Sequence, residues 1–128
     1  MKLMSDNFFV DSNIFIYLFD KEETKKNIAK LLLSSNPVIS TQVISENINV
    51  LFKKFRERLT TEQIEIHKNH LLQNCTVIPV TVSTIEEAFK LKNSYSLQWY
   101  DSLIVAAALS QNCDTLYSED LQHNQIIN

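Results

Sequence analysis

The chain has 128 residues, 45% of them apolar and 21% charged, a formal net charge of −3 and no glycine. That length suits one domain, residues 1–128, built around a single core. A P-loop, a dinucleotide fingerprint and a G-x-S-x-G nucleophile elbow all need glycine for close backbone approach or a strained turn, so all three are excluded. Any phosphate chemistry must therefore use side chains.

No apolar run reaches the ~18 residues of a membrane span. The opening MKLMSDNFFVDSN carries acids at Asp6 and Asp11 and is not a secretory signal, so a cytoplasmic location is the default. Cys75 and Cys113 belong to no C-x-x-C pair, which argues against zinc and thiol redox chemistry and for two buried thiols. The acidic balance argues weakly against a protein coated in nucleic acid. A local basic run nevertheless exists in FKKFRER, residues 52 to 58, with Lys25, Lys26, Lys90 and Lys92 elsewhere. A solvated helix face is the ordinary reading of such a run, and a phosphate-holding stripe is the alternative.

In chain order, NFFV at 7 to 10 reads as a short buried strand, and the apolar run from Ile14 to Phe19 begins a helix. A second helix spans about 22 to 34 on the spacing of Ile28, Leu31 and Leu32. Pro37 ends it and opens a strand at VIS. From 41 to about 58, Ile44, Ile48, Leu51, Phe52 and Phe55 fit the stripe of an amphipathic helix. Thr60 or Thr61 starts the next helix, which ends near Asn74.

TVIPV at 76 to 80 is a third strand, with its proline pointing to a sheet edge. A helix follows from about 83 to 95, with Ile85, Ala88 and Phe89 on one face. LIVAAAL at 103 to 109 is apolar all round and reads as a helix buried on several sides. TLYS at 115 to 118 is a fourth strand, and QII at 125 to 127 a possible fifth. Strands alternating with helices predict a mainly parallel sheet of four to five strands covered on both faces, a three-layer α/β/α sandwich.

In such a sheet ligands bind at the carboxyl edge, usually where the strand order reverses. Asp11 directly follows the first strand and Asp120 the fourth, so both belong to that edge. Glu46 lies in the first two turns of the helix leaving the second strand, which starts there too. The helix carrying Leu103 to Leu109 enters the fourth strand almost directly, so its other end, with Asp101, is also at the carboxyl edge. Asp114, at the start of the fourth strand, falls at the opposite edge.

Each acid has a bland alternative. Asp11 and Asp101 precede apolar helical runs and would serve as N-caps; Glu46 lies nearly opposite the apolar stripe and could be a surface acid; Asp120 could be a turn residue. Taken together, several carboxylates at close range raise one another's pKa unless something offsets the repulsion. A hard divalent cation does so, and Mg²⁺ or Mn²⁺ with carboxylates and water is suited to phosphodiester hydrolysis.

Four blocks in order, FFVDSNIFIYLFD, STQVISENINVLF, WYDSLIVAAAL and LYSEDLQ, resemble PIN-domain ribonucleases, especially the toxin subunits of VapBC-type toxin–antitoxin pairs. The resemblance covers essentially the whole chain. It implies metal-dependent hydrolysis of RNA, with Mg²⁺ or Mn²⁺ held at Asp11, Glu46, Asp101 and Asp120. Asp11 and Asp101 match direct ligands and Asp120 a ligand or its supporting partner. Glu46 would bind a second ion or orient the attacking water. Asn13 matches a residue that steadies the first acid and Ser118 one that supports the last; Glu119 and His123 lie nearby. Where relatives often carry glycine after the last block, this chain has Asn124, the residue that best tolerates a left-handed backbone in its place. A cognate antitoxin and a homodimer are the partners implied. A phosphoacceptor signalling domain would need a lysine after the fourth strand, where SEDLQH has none. A PIN-like binding module that has lost its activity would be expected to lack one or two of the acids.

Overall fold

The computed structural model describes residues 7–119. Four short strands, β1 (Phe8–Val10), β2 (Val38–Ser40), β3 (Thr76–Ile78) and β4 (Thr115–Tyr117), form one parallel sheet in the order β3-β2-β1-β4. The register pairs Phe9 with Val38 on one side and with Leu116 on the other. β1 and β2 are buried at every position, as the inner strands of a two-sided parallel sheet must be, and the polar member, Ser40, caps α3 by accepting from the Val43 N–H. β3 is the partly exposed edge that Pro79 announces.

Six helices cover the sheet: α1 (Ser12–Ile16), α2 (Glu23–Leu33), α3 (Thr41–Lys54), α4 (Thr61–Asn74), α5 (Val82–Tyr95) and α6 (Trp99–Ser110). α1, α3 and α4 pack on one another, whereas α5 packs chiefly on α6, giving the expected α/β/α layering. The core is continuous through Phe8, Phe9, Phe15, Ile39, Val43, Leu71, Ile104 and Leu116. No helix of the described residues is long and apolar enough to cross a membrane. Cys75 and Cys113 are buried and free, as expected. The fifth strand at 125 to 127 and the turn at Asn124 lie outside the described residues.

Backbone turns that would favour glycine are made without it. Asn36, Ser96 and Asn112 take left-handed φ values of 54°, 56° and 57°. Two of the three are asparagine, the non-glycine residue whose side chain best offsets the steric cost there.

Four helices differ from the sequence reading. The first is short: α1 tightens into a 3₁₀ turn at Tyr17–Phe19. α3 ends at Lys54, and its buried line is Val43, Asn47 and Leu51; Ile44 and Ile48 are half-buried and Phe52 is 45% exposed. Counting apolar residues missed this face because its central member is an asparagine. On α5 the buried residues are Thr84 and Ala88, while Ile85 and Phe89 are exposed, since a helix lying mainly on one neighbour buries only a narrow strip. α2 shows the same economy, burying Ala29 and Leu32 and exposing Ile28 and Leu31.

The basic run beyond α3 is partly structural. Arg58 donates to the Phe19 carbonyl at 2.8 Å and lies over the Phe55 ring, which ties the end of the 3₁₀ turn to the end of α3. Lys53 and Lys54 sit in the last turn of α3, where the helix dipole favours positive charge.

Candidate active site

The site grows from the end of β1. The Asp11 N–H donates to the Tyr117 carbonyl at 2.9 Å, so the β1–β4 ladder continues one residue past the strand and fixes the Asp11 main chain. Asp11 then caps α1: its Oδ1 accepts from the Ser12 N–H at 2.6 Å. Its Oδ2 accepts from the Ser118 hydroxyl at 2.9 Å. Asp11 is only 3% exposed, and it caps α1 from the carboxyl end of β1.

Two helix starts meet at the same edge of the sheet. The Gln42 side-chain amide donates to the Tyr100 carbonyl at 3.3 Å, tying the first turn of α3 to the first turn of α6. Glu46 lies one turn beyond Gln42 on the same side of α3, and Asp101 directly follows Tyr100; both acids are half-buried. Asp101 is not an N-cap: Gln98 holds that position on α6, without a side-chain capping bond, and Asp101 lies in the first turn. The loop after β3 joins the same edge, where the Val80 N–H donates to the Thr41 hydroxyl at 3.1 Å. Asp114 lies at the other edge, its N–H bonded to the carbonyl of Asn7 ahead of β1.

Ser118 serves Asp11, the first acid, whereas Asp120 lies outside the described residues, as does His123. The Asn13 side-chain oxygen accepts from the Ser12 hydroxyl at 3.3 Å, next to the Ser12 N–H that donates to Asp11.

Sequence reasoning also missed a buried polar pair. Asn47 donates to the Ser12 carbonyl at 3.1 Å, and its Oδ1 lies 2.6 Å from His67 Nε2. Burial, assisted by the charge of His70, pushes the His67 imidazole down to about 4 and keeps it neutral near pH 7. The signal was present: an asparagine midway between Val43 and Leu51 at i+4 spacing marks a polar group on a core-facing line.

Among the described residues, no three His, Cys, Asp or Glu side chains form a cluster that could hold a metal ion. The donors at this edge are nonetheless of the type a hard cation takes. Mg²⁺ is commonly bound through one or two carboxylates, with water and substrate phosphate completing its shell, so a closed protein cage is not required. Asp11 accepts from neutral donors on both oxygens, and Asp101 and Glu46 stand on helices that start at the same edge of the sheet.

The sequence model of the PIN domain matches residues 8–127. The chain belongs to the PIN domain family. No curated protein sequence shows significant similarity to it. Among solved structures, this PIN chain is similar to the toxin VapC20 of Mycobacterium tuberculosis, described as cleaving the sarcin-ricin loop. Identity is 19%, with 91% of this chain and 92% of that one covered at a TM-score of 0.70. A toxin–antitoxin complex from Klebsiella pneumoniae matches at 20% identity over 91% of this chain and 88% of that one, with a TM-score of 0.70. VapBC2 from Rickettsia felis, bound to a DNA fragment from its promoter, matches at 20% identity, 90% and 88% coverage and a TM-score of 0.66. At such identities the likeness is one of fold, and it extends over nearly the whole length of each toxin chain.

Proposed function

We propose that this PIN domain is a divalent-cation-dependent endoribonuclease, the toxin of a toxin–antitoxin pair, acting in the cytoplasm as a homodimer that its antitoxin restrains. The observation that carries the reading is the Asp11 carboxylate: buried at the end of a central strand, held through both oxygens, at the sheet edge where two further acid-bearing helices start. Family membership and the near-full-length likeness to VapC toxins support it.

In this reading Asp11 and Asp101 hold Mg²⁺ or Mn²⁺, Asp120 joins or supports them, and Glu46 binds a second ion or orients the attacking water. The bound cation would neutralise charge developing on the scissile phosphate and acidify water. Ser118 and the Ser12 N–H keep the Asp11 oxygens aimed, so little reorganisation is needed when substrate arrives. Asn13, which accepts from the Ser12 hydroxyl, steadies the same turn.

Purified protein incubated with a mixed pool of structured and single-stranded RNAs, with Mg²⁺, Mn²⁺ or EDTA, tests the proposal beside an Asp101→Asn variant. Cleavage that requires the cation and is lost in the variant is the expected result. Cleavage unaffected by EDTA would refute the metal dependence, and cation binding without any cleavage would favour a binding module.

A further inference from the structure

Behind Asp11 lies a line of buried polar groups that the cleavage reading leaves unused. Asn47 is fully buried on α3 and His67 is 5% exposed on α4. The Asn47 amide nitrogen donates to the Ser12 carbonyl, so its oxygen faces His67, and the imidazole must donate from Nε2. Phe19 packs edge-on against the imidazole with ring centres 5.0 Å apart, fixing the ring plane.

A buried polar pair of this kind is rarely needed for stability, since apolar residues of similar shape often do as well. Its two ends explain its presence better. Ser12 is the residue after Asp11 and supplies the N–H that holds Asp11 Oδ1; Asn47 is the residue after Glu46. The bond from the Asn47 side chain to the Ser12 carbonyl therefore ties the residue after one acid to the residue after the other. His67 holds the amide in the orientation that makes this possible.

We propose that Asn47, oriented by His67, is a positioning residue that sets the spacing between the Asp11 and Glu46 carboxylates and thereby the affinity of the site for a divalent cation. The inference rests on the metal-site reading above. Groups that orient metal ligands from behind typically change affinity 10–100-fold when removed.

The test is calorimetric titration of Mn²⁺ into the full chain, with thermal unfolding measured on the same samples. The double variant Asn47→Leu, His67→Phe removes both polar groups together, so that only the Ser12 carbonyl, inside the first turn of α1, loses a side-chain donor. It should melt at or near the wild-type temperature yet bind Mn²⁺ at least about tenfold more weakly. His67→Gln, which keeps an N–H donor, should bind close to wild type, whereas His67→Phe alone should be weakened. Should the double variant fail to fold, the comparison of His67→Gln with His67→Phe decides. Equal Mn²⁺ affinity in that pair, or wild-type affinity in a folded double variant, would overturn the inference while leaving the metal site standing. A wild-type protein that takes up no Mn²⁺ would overturn both.

Discussion

Ser118 donates its hydroxyl to Oδ2 of Asp11 at 2.9 Å across a sequence separation of 107, joining the ends of the neighbouring strands β1 and β4 at one buried carboxylate. Both residues are nearly inaccessible, so this bond operates without competition from water. Hydrogen bonds to a charged group contribute about 1.5–3 kcal/mol. Ser118→Ala should therefore lower stability by about 2 kcal/mol, read from the denaturant midpoint at constant slope. Ser118→Thr, which keeps the hydroxyl, should recover most of it.

Asp11 and Asp114 separate function from fold. Asp11→Asn keeps the side chain's shape and its acceptor oxygen but removes the charge, so a folded protein without cleavage activity is expected. Asp114→Asn, at the other edge of the sheet, should cut RNA at the wild-type rate. Activity retained in Asp11→Asn, assayed with Mg²⁺ and with Mn²⁺, would remove the principal residue from the site.

His67 gives the protein a defined acid sensitivity. Its imidazole takes a proton near 6.5 when exposed and near 4 when buried in the fold. Between those values the unfolded chain holds more protons, so stability rises with pH. The contribution is complete above 6.5 and is lost as pH falls to about 4, amounting to about 3 kcal/mol. Urea titrations at pH 7 and pH 5 should show a smaller difference in His67→Phe than in wild type. Equal pH dependence in the two proteins would contradict the buried neutral imidazole.

The thiols should be inert. Burial pushes Cys75 up to about 12, and burial with the charge of Asp114 pushes Cys113 up to about 11. Thiolate is the reactive form, so neither should be alkylated by iodoacetamide at pH 8 in the folded state, and both should react in denaturant. Mass spectrometry of the two samples provides the check.

The architecture was legible in the sequence where topology constrains it. The short run NFFV ahead of the first helix marked β1, VIS after Pro37 marked β2, and Pro79 marked the edge. Because a parallel sheet sends every strand the same way, the direction of each following helix placed Asp11, Glu46 and Asp101 at one edge and Asp114 at the other before any side chain was seen. Helical faces were less legible. α3 and α5 carry more apolar residues than their neighbours can cover, so periodicity showed helices without showing which line was buried. The partnerships of Ser118 with Asp11 and of Asn47 with His67 depend on three-dimensional approach between distant segments, which no local pattern encodes.

The most direct test of the metal centre is an anomalous difference map from crystals of the full chain soaked in Mn²⁺. The account predicts a peak coordinated by Asp11 and Asp101 at the carboxyl edge of the sheet, absent from Asp11→Asn crystals treated alike. Mn²⁺ bound elsewhere while that edge stays empty, or an undiminished peak in Asp11→Asn, would contradict it.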